Sequence, residues 1–275
     1  MSIAAPSQRS TPAHFGTHLR HWRQHRRLSQ QGLADEAAIS TRHLSFVETG
    51  RALTSREMVL RLAERLQVPL RERNAMLVAA GYAPMYRERP LHDPALGPAR
   101  EAVDLILRAH EPAPALAVDR HWTLVAANRM LPHLLAGIDP ALLAPPLNVL
   151  RLSLDPRGLA PRIANLGQWR EHLFERLEQQ VRATADPVLV ALLEELRAIP
   201  LPPQHAGLRL PGEHLGVALP LQLRTADGQV LSFISTTTVF GTAVDVTVQE
   251  LTLESFFPAD ADTAQALQRL AAATG

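Results

Sequence analysis

The sequence contains no cysteine, and all 28 of its Lys+Arg positions are arginine. Without cysteine there can be no disulfides, no thiolate catalysis and no cysteine-ligated metal, and a reducing compartment is permitted. The missing lysine reads as the imprint of a GC-rich coding sequence rather than as a choice of guanidinium over ammonium. No apolar run approaches the ~18 residues of a membrane span. The first residues, MSIAAPSQRSTPAHF, lack the apolar core of a signal peptide and read as a short disordered leader over 1–12. There is no Gly-rich phosphate loop, no HExxH and no GxSxG, and Asp, His and Ser are scattered without a catalytic spacing. We therefore expect no enzyme, no required cofactor, no metal site and no membrane contact, in a cytoplasmic protein.

What is present divides in two. A length of 275 residues fits two ordinary domains. Residues 12–84 hold 11 Arg against 6 acidic residues, a net +5, whereas residues 85–275 hold 16 Arg against 21, a net −5. The first part thus suits a polyanion and the second does not. Between them, PMYRERPLHDPALGP (84–98) carries four prolines and reads as a linker. The expected divisions are a leader at 1–12, a helical domain at 13–83, the linker at 84–98, a larger domain at 99–258 and a polar, Ala-rich tail at 259–275.

The 13–83 segment reads as five helices. Phe15, Leu19 and Trp22 fall at i, i+4, i+7 and form one buried stripe. Ser29 caps a second helix carrying Leu33 and Ala34, and Ser40 or Thr41 caps a third, with Leu44 and Val47 facing inward. Gly50 suits a left-handed helix end. Ser55 caps a fourth helix and Pro69 opens a fifth. Burying Leu44 and Val47 exposes Thr41, Arg42, His43, Ser45 and Phe46 on a helix sized for the major groove. Arg42 can pair with guanine, and Thr or Ser can serve several bases. The Gln30 amide at the start of the second helix, with Arg51 and Ser55 beyond the third, suits phosphates, and Gln31 and Ser40 are further candidates for contact with DNA. The segment LSQQGLADEAAISTRHLSFVETGRALTSREMVLRLAERL (28–66) resembles the helix-turn-helix of XRE/Cro-type repressors, through LSQ (28–30), LA (33–34), IS (39–40), LS (44–45), ETGR (48–51) and the Ser55 cap. Thr54 stands where that family often has proline. The resemblance implies double-stranded operator DNA as partner, and palindromic half-sites would require a homodimer.

His14, His18, His21 and His25 recur at i, i+4, i+7, i+11 along the first helix, a spacing that suits metal ligation. Arg20, Arg23, Arg26 and Arg27 surround them and repel a cation, so a solvated or phosphate-facing surface is the reading preferred.

The second segment mixes strands and helices. PALAVDRHWTLVAAN contains two short strands around an Asp119-Arg120 turn, and 128–198 is mainly helical, most clearly near 167–182 and 187–198. From Leu219 to Glu254 we expect a three-strand meander, with turns at Asp227-Gly228 and Gly241-Thr242. Its last strand would carry Val244, Val246 and Val248, with a bulge at Gln249-Glu250. Two strands, helices, then three strands is an α+β order with a five-stranded antiparallel sheet. Polar candidates for a small-molecule site are His121, Arg151, Arg162 and Asn165; Trp122 and Trp169 read as core residues first and as walls of such a site second. An Arg at the mouth could hold a carboxylate, though a surface position or an ion pair, for example with Asp155 or Glu171, is the reading preferred for each. Asn128 suits a helix N-cap or the same site. EPAPALAVDRHWTLVAAN (111–128) and NVLRLSLDPRGLAPRIANLGQWREHLFERL (148–177) resemble the ligand-binding domain of MmyB-like (MltR-type) regulators. That resemblance implies a PAS-like sheet enclosing a pocket for a small apolar, fatty-acid-like ligand. The alternative is a ligand-free domain filled by its own side chains, serving dimerisation or protein docking.

Overall fold

The computed structural model of the protein describes residues 14–202, 219–241 and 245–273. The expected leader at 1–12, the Thr242 half of the second meander turn, Val244 and the last two residues of the expected tail lie outside the described residues. The chain divides into two units between Glu88 and Arg89, within the Pro-rich 84–98 segment.

The first unit is built of α1 (Phe15–His25), α2 (Gln30–Glu36), α3 (Thr41–Glu48), α4 (Arg56–Arg65) and α5 (Leu70–Ala79). Local chemistry sets its boundaries. The hydroxyls of Ser29, Ser40 and Ser55 accept from the backbone N–H of Gly32, His43 and Met58 at 2.9, 3.1 and 3.3 Å, satisfying donors that each helix start would otherwise orphan. Gly50 ends α3 at φ +73°. Helices α1 and α3 cross so closely that a Cβ on Gly16 would lie 2.4 Å from the Glu48 carbonyl oxygen, so only glycine fits there. The expected stripe of Phe15, Leu19 and Trp22 is buried, and Leu19, Leu33, Leu44, Leu62 and Met76 are sealed completely. Burial of that apolar surface, rather than helix propensity, holds five short helices together.

The second unit begins with α6 (Gly97–Ala109), then β1 (Ala115–Val118) and β2 (Leu124–Ala127). There follow α7 (Leu131–Leu134), α8 (Pro140–Leu143), α9 (Val149–Leu154), α10 (Leu166–Thr184) and α11 (Pro187–Ala198). The unit closes with β3 (Leu221–Arg224), β4 (Val230–Val239), α12 (Val246–Gln249), β5 (Thr252–Pro258) and α13 (Ala261–Ala272). The five strands form one antiparallel sheet in the order β2-β1-β5-β4-β3. Alternation along each strand gives the sheet two apolar faces. Ala115, Ala117 and Leu253 pack with Val103 and Leu107 of α6. Leu116, Leu223, Leu231 and Phe233 join a larger core with Leu150, Trp169, Leu173 and Leu193 from the helices of the opposite layer. The hairpin turn expected at Asp227-Gly228 is present, with Gly228 at φ +86°.

Three sequence expectations need correction. Val246 and Val248 lie in the short helix α12, not in a strand. Asp245 opens it, its carboxylate accepting from the Thr247 N–H at 3.0 Å, and this cap outweighs the β preference of the valines. Gln249 ends that helix, and β4 and β5 pair without a register shift from Val239↔Thr252 to Phe233↔Pro258, so no bulge forms at Gln249-Glu250. The segment after Ala259 is ordered as α13. Asp260 caps it, Ala266 and Leu267 enter the main core, and the Thr263 hydroxyl accepts from the Ser232 N–H at 3.0 Å.

Candidate functional site

In the first unit, α2 and α3 are joined by a turn through Ala38, which sits at φ +53°. Leu44 and Val47 fix the buried side of α3. Arg42 is exposed on the opposite side, and Thr41, His43, Ser45 and Phe46 are half-buried around it. The Arg42 guanidinium lies 5.4 Å from the centre of the Phe46 ring, so the two side chains cover each other. Thr41 donates to the Gln31 amide oxygen at 2.5 Å, and the Gln31 amide nitrogen donates to Asp35 at 2.7 Å. The Gln30 amide nitrogen donates to Glu48 at 2.8 Å. Ser40 and Ser55 are helix caps, and Arg51 is exposed just beyond α3. The expected residues are thus gathered around one helix pair, but the two glutamines are already engaged by neighbouring side chains.

Beneath this surface lies Glu48, which the sequence reading passed over. Its side chain is fully buried and is met by Arg23 at 2.6 and 3.0 Å, by Gln30, and by Arg20 at 3.5 Å. Burial pushes its pKa up, but the hydrogen bonds from Arg23 and Gln30 and the nearby guanidinium charges outweigh it and hold the carboxyl below its usual 4.5. The available sequence signal was position: 44, 47 and 48 share the i, i+3, i+4 face of α3. The histidines of α1 do not converge. His14 caps the helix through Nδ1, accepting from Gly16 N–H at 3.1 Å, while His21 and His25 stack 6.0 Å apart. Among the described residues, no group of three or more His, Asp or Glu side chains could hold a metal ion.

The second unit holds a partly open cavity of about 90 Å³ between the inner sheet face and the helical layer. A water needs only about 10–15 Å³, so there is room for several ligand atoms. Leucines dominate its wall, and Trp122 and Trp169 both line it. The indole of Trp169 donates to the Ser153 hydroxyl at 3.1 Å, and that of Trp122 to the Gln180 amide oxygen at 2.8 Å. Trp122 is held at φ +66° by a turn in which the Asp119 carboxylate accepts from the His121 and Thr123 N–H groups, each at 2.8 Å. Two lining residues are ionisable, Arg176 and Glu254. They form a bidentate pair at 2.6 and 3.0 Å, Arg176 also donates to Thr237 at 2.7 Å, and its guanidinium stacks 5.0 Å from the Trp122 ring centre.

The other polar candidates do not line the cavity. His121 binds Asp186 at 2.9 Å. Arg151 forms a bidentate pair with Glu195, 2.7 Å on each arm. Arg162 donates to the carbonyls of Leu134, Ala136 and Arg224. Asn165 ties α10 to β3, donating to the Pro220 carbonyl and accepting from Gln222 N–H. Asn128 is buried before α7 rather than capping it. It donates to the Leu107 and Ala113 carbonyls and accepts from the Ala115 and Met130 N–H groups.

Residues 99–270 match the family model described as the MmyB-like transcription regulator ligand-binding domain. The chain belongs to the MmyB-like transcription regulators. Residues 14–76 match a helix-turn-helix domain model, so this regulator pairs a DNA-binding head with a ligand-binding domain. No curated protein matches the chain. Among solved structures it is similar to the restriction-modification controller protein C.AhdI from Aeromonas hydrophila. The identity is 34%, over 22% of this chain and 89% of that one, with a TM-score of 0.21. Among the described residues, no helix of the MmyB-like regulator is long and apolar enough to cross a membrane. The residues that sequence reasoning missed in its ligand-binding domain are Arg176 and Glu254. They lie 78 positions apart, and no local motif joins them.

Proposed function

We propose that the regulator reads operator DNA with α3 and answers to a small apolar ligand held in the second unit's cavity. Arg42, His43 and Ser45 would reach base edges. Phe46 would back Arg42, and the start of α2, Arg51 and the Ser55 turn would follow phosphates. The single observation carrying the DNA reading is the exposure of Arg42 opposite the buried Leu44 and Val47. The net +5 of residues 12–84 supports it.

For the second unit, the apolar cavity supports a sensor over a domain filled by its own side chains. The sheet order supports a PAS-like fold, and the leucine-rich wall supports a ligand that is fatty-acid-like in its hydrocarbon body. The protein acts as a cytoplasmic homodimer, without enzymatic activity or a required cofactor. Two experiments test this. Selection of duplexes from a random pool by the full chain is expected to enrich a palindrome, and a pool left unenriched overturns the DNA reading. Native mass spectrometry is expected to show a dimer carrying a releasable apolar molecule. A ligand-free monomer that binds no apolar compound on titration overturns the sensor reading.

A further inference from the structure

We infer that Asp35 fixes the hydrogen-bond polarity of the reading surface, so that Thr41 meets DNA as an acceptor and contacts the exocyclic amine of adenine or cytosine, not a keto oxygen of guanine or thymine. This rests on the reading of α3 as the helix that faces base edges and names the chemistry of one of its contacts.

Three side chains form one line of hydrogen bonds between α2 and the start of α3. The Thr41 hydroxyl bonds the Gln31 amide oxygen at 2.5 Å, and the Gln31 amide nitrogen bonds Asp35 Oδ1 at 2.7 Å. Gln31 and Asp35 are exposed, and Thr41 is half-buried beside them. The line admits a single polarity. A carboxylate ion can only accept, so the end of the amide facing Asp35 must be the nitrogen. The other end is then the carbonyl oxygen, which also can only accept. The hydroxyl of Thr41 has one hydrogen, and it goes to Gln31. An isolated threonine rotates that hydrogen to suit whatever it meets, whereas here the choice is made before DNA arrives. Helix capping does not compete, because Ser40 takes the His43 N–H. Among the described residues the Thr41 hydroxyl makes no other bond, and its lone pairs are what it has left to offer.

Thr41 is the first residue of α3, the end of a reading helix that approaches base edges. In the major groove the amines of adenine and cytosine donate, whereas the keto oxygens of guanine and thymine accept. An acceptor set against a keto oxygen gains no bond and leaves both oxygens deprived of water. Every base pair carries one amine and one keto oxygen, so this contact fixes which strand holds which base. Asp35 touches no base in this scheme. It is a positioning residue that acts through Gln31 and Thr41. Neither affinity nor helix stability accounts for its charge, which is of the wrong sign both for a polyanion and for the C-terminal end of α2.

The test selects duplexes from a random pool with the full chain and with Thr41→Val, and finds the position at which the variant relaxes preference. The amine of the base pair there is then deleted, with purine in place of adenine or a pyrimidinone in place of cytosine. Deletion is expected to weaken the wild type about tenfold and T41V less than about twofold. Asp35→Asn lets the Gln31 amide turn over, and is expected to cut the cost of amine deletion to less than about threefold. No cost in the wild type, an equal cost in T41V, or an undiminished cost in D35N each overturns the inference. So does an enriched pool in which T41V relaxes no position, and in all these outcomes α3 remains the reading helix. A pool left unenriched overturns the inference and the DNA reading together. Should T41V fail to fold, Thr41→Ala reads the same comparison.

Discussion

Arg23 and Glu48 meet edge to edge, Nε on Oε1 at 2.6 Å and Nη2 on Oε2 at 3.0 Å, and so bolt α1 to the end of α3. Removing one partner of such a pair strands a buried charge. Arg23→Ala is therefore expected to cost the first unit about 3–5 kcal/mol in urea unfolding. The pH dependence has a defined sign. The folded Glu48 pKa lies below its usual 4.5, so the pair contributes fully above pH 4.5 and is lost as pH falls through the folded value. Glu48→Gln should flatten the stability curve in that acid window and leave its shape above pH 5.5 unchanged.

Ala38 carries a left-handed backbone in the turn between α2 and α3, with the Ile39 N–H bonded to the Ala34 carbonyl at 2.9 Å. A Cβ in that conformation costs about 1–2 kcal/mol, offset in part by the entropy glycine loses on folding. Ala38→Gly should stabilise the unit by about 1 kcal/mol, and Ala38→Val should destabilise it. Urea midpoints at constant slope check both.

The two exposed arginines of the helix pair are expected to fail differently. Arg42→Ala should relax preference at one base position per half-site, by about 1–3 kcal/mol. Arg51→Ala should weaken all duplexes alike and reduce the salt slope by about one. Titrating the selected duplex and its single-base variants at several salt concentrations separates them. Equal loss across sequences for both variants would refute the base contact assigned to Arg42.

Asn128 holds four backbone groups from α6, β1 and the start of α7. Asn128→Ala should destabilise the second unit by about 1–3 kcal/mol. The affinity of the remaining folded chain for octan-1-ol, an apolar probe of the cavity, should not change, because Asn128 does not line the cavity. Urea unfolding and fluorescence titration of the same sample read the two effects.

The first unit was legible because its boundaries are local. Ser29, Ser40 and Ser55 sit next to the N–H groups they cap, and Leu44 and Val47 are spaced by one helix turn. In the second unit the hairpin at Asp227-Gly228 and the strands around Asp119 were equally local. Alternation misled at Val246 and Val248, where one aspartate cap decided for a helix. The cavity was not legible. Arg176 looks like any charged residue on a long helix, and Glu254 like an ordinary strand acid, until the topology places α10 over β5. Nothing in the spacing of Arg151 and Arg162 distinguishes a lining arginine from one paired with Glu195 or bonded to chain carbonyls, as these two are.

β5 is printed on both sides. Leu253 belongs to the layer of Val103 and Leu107, while Glu254, its neighbour, faces Arg176. Because side chains alternate with a period of two, the loss or gain of a single residue within this strand would exchange the two. A carboxylate would then be driven into the α6 layer, and a leucine would be set against the guanidinium. Substitutions along β5 can be absorbed one at a time, but its length cannot change by one without inverting the chemistry of both layers together.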